Sequence, residues 1–184
     1  MEDRCTVYTH TGILSKSDLP WSLLDKTSKV SILEGVIASI NAKTRHLRIE
    51  IVFPGVHKHN ALKGYGVIAT KTTARNSLTD LTYEGEKIGH MEATSRYPNW
   101  NAEYLMELRE ENEDNTSGAR NAVYIDAVDP RLANISRFIN RASDDDEANA
   151  DFVDEGSTIT VCLRRTVRAG EEIRLHYRPL DTLR

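Results

Sequence analysis

Two stretches of the chain hold residue types that could do chemistry. In Asn134-Ile135-Ser136-Arg137-Phe138-Ile139-Asn140, the polar Asn134, Arg137 and Asn140 alternate with large apolar residues in neither a clean helical nor a clean strand pattern. Such polar groups are costly inside a protein unless they are hydrogen-bonded. A structural network and a bound polar ligand explain them equally well. The second stretch, Gly64-Tyr65-Gly66-Val67-Ile68-Ala69, fits a loose GxGxxA pattern. A dinucleotide fingerprint would need a strand before it and a helix after it. Here His57-Lys58-His59-Asn60 precedes it and Thr70-Lys71-Thr72-Thr73 follows, and no phosphate-binding GxxxxGK[ST] occurs. A tight turn into a strand is the plainer reading, with the glycines free to let backbone approach a ligand. His57, His59, Glu84 and Glu86 could be imagined as metal ligands, but their spacing nominates no complete set, and solvated loop histidines are the stronger reading.

The whole chain narrows the classes. Its 184 residues suit one domain with a small N-terminal extension, with 39% hydrophobic and 28% charged residues. Cys5 and Cys162 form no CxxC pair, which argues against a disulfide scaffold or a cysteine-rich zinc module and favours a reducing compartment. The start Met1-Glu2-Asp3-Arg4 lacks a secretory pattern, and no apolar run approaches the roughly 18 residues of a membrane helix. The Asn115-Thr116-Ser117 and Asn134-Ile135-Ser136 sequons therefore carry no weight. Net charge is −4 with no basic stripe, so direct nucleic-acid readout is not expected and a basic partner is favoured.

Positioning these residues falls to short elements. Residues 1–29 read as loop with an apolar anchor at Leu19-Pro20-Trp21. Val30, Ile32, Val36, Ala38 and Ile40 share one parity, and Leu47, Ile49, Ile51 and Phe53 another, which predicts a β-hairpin turning at Asn41–Arg45 and stopped by Pro54-Gly55. Lys63–Thr70 is strand-like after its glycines, and Leu81-Thr82-Tyr83 is a short β piece. Tyr104, Leu105 and Leu108 after Asn99 or Asn101 predict a helix over Asn101–Glu111. Glu110–Gly118 and most of Ser143–Glu155 read as acidic solvated loop. Asn121–Val128, Thr158–Leu163 and Glu172–Tyr177 read as strands, the last after a turn at Ala169-Gly170. The fold class is mainly β with minor α. Residues 1–55 are an N-terminal extension with a β-hairpin packed on a domain of residues 56–184, which carries a helical insert at about 99–122.

NISRFIN at 134–140 resembles the GNxxRFINHS signature of SET-domain protein lysine methyltransferases. Tyr124-Ile125-Asp126-Ala127 is similar to the YIDA strand leading into it, Lys63–Thr70 to KGYGVFAT, Tyr83–Glu86 to YxGE, and Ala169–Tyr177 to AGEELTYDY. These pieces stand in the family's order over about residues 62–178.

The resemblance implies small curved sheets with a C-terminal pseudoknot, S-adenosylmethionine as cofactor, and a substrate lysine threaded through a channel from the opposite face. It places Lys63, Gly64, Tyr65, Gly66, Arg137, Phe138, Asn140 and Arg141 at the cofactor, with Arg137 bracing the pseudoknot and the Arg141 backbone at the adenine. Tyr177 and Tyr124 are the implied catalytic residues, and Tyr83, Tyr124, Ile125 and Leu175 line the implied channel. Methyl transfer is an in-line displacement governed by alignment. An apolar channel beside a sulfonium keeps the lysine neutral, aromatic walls suit a cationic product, and no metal is called for. Leu175, smaller than the usual aromatic, implies room for more than one methyl. The implied partner is a basic protein, a histone tail or nucleosome, in the nucleus.

The chain departs from the pattern at Arg141 for histidine, Ser143 for cysteine, Ala133 for glycine and three extra residues before Asn149; cysteine-rich flanks are absent. In their place Arg178–Arg184 is the nearest segment to close the channel. These departures support an alternative, a catalytically weak SET-like module that binds peptide or cofactor without turnover. The methylation state, target lysine and oligomeric state are not written in the sequence.

Overall fold

The computed structural model describes residues 7–9, 12–14, 18–78, 81–100, 102–108, 122–144 and 146–176. Strands dominate: β1 (Val7–Thr9), β2 (Gly12–Leu14), β3 (Leu47–Ile51), β4 (Tyr65–Ala69), β5 (Glu86–Gly89), β6 (Leu105–Leu108), β7 (Val123–Asp126), β8 (Asn140–Arg141), β9 (Ala150–Asp154), β10 (Ile159–Leu163) and β11 (Glu172–Leu175). The helices are α1 (Lys26–Lys43), α2 (Pro54–His59) and α3 (His90–Arg96), with short 3-10 turns at Trp21–Leu23 and Ile135–Phe138. None of the helices among the described residues is long and apolar enough to cross a membrane.

β1 and β2 form a two-stranded ribbon where loop was expected. The largest sheet runs β10-β9-β11-β4-β3, with β8 also on β11. β4 is antiparallel to both β3 and β11, whereas β8 and β9 run parallel to β11. The last described strand thus enters beside the segment that joins β8 to β9. Ala142 N–H donates to Leu175 O and Asn149 N–H to Arg174 O, so both ends of that segment are fastened to β11. A separate sheet has the order β5-β7-β6, antiparallel throughout. The main core lies between α1, the large sheet and the 3-10 turn, and includes Leu33, Ile37, Ile49, Val67, Val161 and Ile173.

The first arm of the expected hairpin is the helix α1. Leu33, Ile37 and Ile40 face the core at helical spacing, a stripe that outweighs the same-parity series through Val30, Ile32, Val36 and Ala38. Asp25 caps the helix, accepting from Ser28 N–H at 2.8 Å. The second arm is β3, as expected, and Asn41 serves it as a strand mimic: Nδ2 donates to Ile49 O and Oδ1 accepts from Ile49 N–H. Pro54 ends that region by opening α2, where its missing N–H costs nothing.

The expected helix over Asn101–Glu111 is also replaced, in its described part, by strand β6. Tyr104, Met106 and Leu108 pack into one cluster while Leu105 joins another, which is a period of two. Pairing with β7 supplies the hydrogen bonds that a short isolated helix would lack. Asn101 and residues 109–121 lie outside the described residues. The local helix is instead α3, capped at Gly89 and packed through Ala93. Within the acidic stretch, Ala150–Asp154 is strand rather than loop, because Ala150 and Phe152 turn into the core while β10 pairs with its backbone.

Candidate active site

The β4–β11 register sets Glu172 opposite Ile68, and the β8–β11 register sets Asn140 opposite Arg174. Segments far apart in sequence therefore meet at one polar cluster. Asn140 Nδ2 donates to Tyr65 O at 2.9 Å and to Glu172 Oε1 at 2.8 Å. Arg174 Nε donates to Glu172 Oε2 at 2.9 Å, and its Nη1 reaches Glu147 Oε2 at 3.0 Å. Glu172 foremost, with Glu147 behind it, holds the Arg174 guanidinium above its ordinary pKa.

Both nominated glycines are required here. Gly64 has φ +94°, and a Cβ on it would stand 2.9 Å from Phe53 O and from His57 Cβ. Its carbonyl accepts from Val52 and Phe53 N–H. A Cβ on Gly66 would lie 2.5 Å from Glu172 Oε1 and 2.9 Å from Asn140 Nδ2. The Tyr65 ring stands edge-on to His57 and Phe138, and burial raises its hydroxyl pKa. Lys63 is exposed and pairs with Glu103. Arg141 is exposed, and its side chain has no hydrogen bond or ion pair among the described residues.

The amino-acid end of S-adenosylmethionine carries an ammonium and a carboxylate, so it needs acceptors and a cation. Both Nδ2 hydrogens of Asn140 are committed to Tyr65 and Glu172, which leaves Oδ1 as an acceptor turned away from them. Asn140 Oδ1 thus offers an acceptor that fits the ammonium of such a ligand.

Arg137 is held elsewhere. Its Nε donates to Ala127 O at 2.6 Å, Nη2 to Val128 O at 3.3 Å, and its guanidinium lies 4.0 Å from the centre of the Tyr104 ring. Burial lowers its pKa, and Tyr104 and Tyr83 are among the groups that oppose the shift. Bracing the segment after β7 is its visible task. Asn149 is a second clip: its Nδ2 donates to Glu172 O at 2.8 Å and its Oδ1 accepts from Arg174 N–H at 2.9 Å.

The nominated channel residues do not share one surface. Tyr83 and Ile125 pack together with Leu108, Ala127 and Ile159. Tyr124, one residue from Ile125, faces the other side of the sheet. Its hydroxyl lies 3.3 Å from His90 Nδ1, and its ring is 5.5 Å from that of Trp100. Leu175 is fully buried in the main core. Tyr177 lies outside the described residues.

Val123, Tyr104 and Met106 pack in the cluster that holds Tyr83 and Ile125, and none of them was singled out from the sequence as a site residue. Parity with Ile125 was the available signal for Val123; Tyr104 and Met106 were masked by the helical reading of their segment. Glu172 was also left out, although it is the second glutamate of the Ala169–Tyr177 motif. Among the described residues no group of three or more His, Cys, Asp and Glu side chains is placed to hold a metal ion.

The family profile described as SET domain matches residues 64–178. No curated protein matches the sequence. Among solved structures, the methyltransferase domain of human PR domain-containing protein 2 is similar with a TM-score of 0.58 and 21% identity, over 81% of this chain and 88% of that one. A humanized mutant of the Chaetomium thermophilum Polycomb Repressive Complex 2, bound to an inhibitor, is similar with a TM-score of 0.46 and 25% identity, over 62% of this chain and 13% of that one.

Proposed function

The chain belongs to the SET-domain family, and on that premise we propose that it is an S-adenosylmethionine-dependent methyltransferase acting on a lysine of a basic protein, a histone tail first among the candidates. The observation that carries this reading is the meeting of segments 63–70, 134–140 and 169–176 at the Asn140–Tyr65–Glu172 cluster.

Asn140, the Gly64–Gly66 backbone and the backbone of Arg141 would hold the cofactor. When bound, S-adenosylmethionine supplies an activated methyl group. The chain's own contribution is alignment and a dry environment. Tyr83, Ile125, Val123 and Met106 pack as one apolar cluster, and a lysine brought against it would lose its proton more readily because burial disfavours the charged ammonium. By family resemblance Tyr177 supplies a hydroxyl to orient that amine. Net charge −4 favours a basic substrate, and a histone partner would place the protein in the nucleus.

The test is transfer of radiolabelled methyl from S-adenosylmethionine to core histones and nucleosomes, with Tyr177→Phe as control. Tyrosine-dependent labelling supports the reading. Cofactor binding without labelling of any protein substrate would overturn turnover and leave a binding module, the reading that Arg141 and Ser143 favour.

A further inference from the structure

Asn140 makes two hydrogen bonds through the same nitrogen, to the Tyr65 carbonyl and to the Glu172 carboxylate. Both partners are acceptors, so the amide has only one orientation that satisfies them. An asparagine amide otherwise turns about a broad, nearly two-fold torsion and can present either end. We infer that Glu172 is a positioning residue for cofactor binding: its carboxylate locks the Asn140 amide so that Oδ1 faces the ligand as an acceptor for an amino-acid ammonium. This rests on the reading of the site as a cofactor site.

The surroundings are built for that task. The Cβ that Gly66 lacks would stand 2.5 Å from Glu172 Oε1, so only glycine lets the carboxylate reach the amide. Arg174 Nε donates to the other carboxylate oxygen at 2.9 Å, so the carboxylate is held from both sides. The backbone pairing of β4 with β11 at Val67 and Ile68 does not use the Glu172 side chain. Loss of the carboxylate therefore leaves the Tyr65 carbonyl as the remaining hold on the amide, with the sheet register in place.

A substitution series separates orientation from mere support. In Glu172→Gln, an amide must face one neighbour with its nitrogen, so either Asn140 or Arg174 meets donor against donor. Adding Arg174→Met removes that conflict and lets the glutamine oxygen accept from Asn140. Titration calorimetry with S-adenosylmethionine is expected to give about ten-fold weaker binding for Glu172→Ala and Glu172→Gln, the scale of one oriented hydrogen bond. The Glu172→Gln/Arg174→Met pair recovers most of it. In the ligand-free proteins, the separated side-chain amide proton signals of Asn140 should merge or shift in the single variants and return in the double. Unchanged affinity in a folded Glu172→Ala, or no recovery in the double variant, overturns the inference alone. Absence of binding by the unsubstituted protein overturns it together with the functional reading.

Discussion

The two larger sheets are held together in different ways. The sheet containing β4, β8, β9 and β11 is tied by side-chain amides and carboxylates that bridge distant segments: Asn140 to Tyr65 and Glu172, Asn149 to the Glu172 carbonyl and the Arg174 N–H. The β5-β7-β6 sheet relies on pairing between near neighbours and on one ionic network with α3. There Arg96 meets Glu86, Glu92 and the buried Asp126, and Tyr97 donates to the same Asp126 carboxylate. Non-local polar bridges demand particular residue types at particular places. Local pairing demands only the right alternation, which tolerates many sequences.

Breaking that contrast starts with packing, where the largest effects lie. Ile173→Ala, in the middle of the first sheet, is expected to cost about 2–5 kcal/mol by urea denaturation, because its site is fully enclosed and cannot collapse. Next comes Asn149→Ala, which strands the Glu172 carbonyl and the Arg174 N–H in a buried place. About 1–3 kcal/mol for each buried group left unpaired is expected in the same measurement. An equal loss from a surface asparagine such as Asn99 would undo the claim that this residue is a clip.

In the second sheet, Asp126→Asn should cost less, about 1–2 kcal/mol, because Glu86 and Glu92 still hold Arg96. Burial, then Asp126, holds the Tyr97 hydroxyl above its ordinary pKa. Spectrophotometric titration of the variant should therefore show Tyr97 ionising at lower pH than in the parent.

Glu171 gives a pH-dependent case. The Arg165 guanidinium first, then the Arg168 N–H and Asn149, hold its carboxyl down at about 2 against an ordinary 4.5. A depressed carboxylate stabilises the fold above the ordinary value, and that contribution disappears as pH falls from 4.5 toward 2. Glu171→Gln is expected to flatten the acid limb of melting temperature against pH and leave the neutral-to-basic limb parallel to the parent. The smallest effect belongs to Tyr124→Phe, about 0.5–1.5 kcal/mol for the His90 contact, with methyl transfer retained. Abolished transfer in a folded Tyr124→Phe would return this residue to the channel.

The contrast also accounts for what could be read in advance. Gly64, Gly66 and Asn140 were visible because each position restricts the residue type: a positive φ, a missing Cβ, or an amide with two acceptors to satisfy. α1 was hidden because a set of alternate apolar residues coexists with a helical one, and nothing local ranks Leu33 and Ile37 above Val36 and Ala38. β6 was hidden because a segment of four strand residues draws its hydrogen bonds from β7. Ile125 and Tyr124 pack in different clusters because one step along a strand reverses the face, and only the packed sheet reveals which side Tyr83 occupies.

The sequence by itself determined the family and the mainly β class, through colinear motifs whose polar and glycine positions answer to stereochemistry at single residues. Tertiary structure alone decided that 26–43 is helix, that Tyr124 and Ile125 part company, and that Glu172 holds Asn140. Those outcomes depend on contacts between segments far apart in the chain, and their free energies exist only once the chain has brought them together.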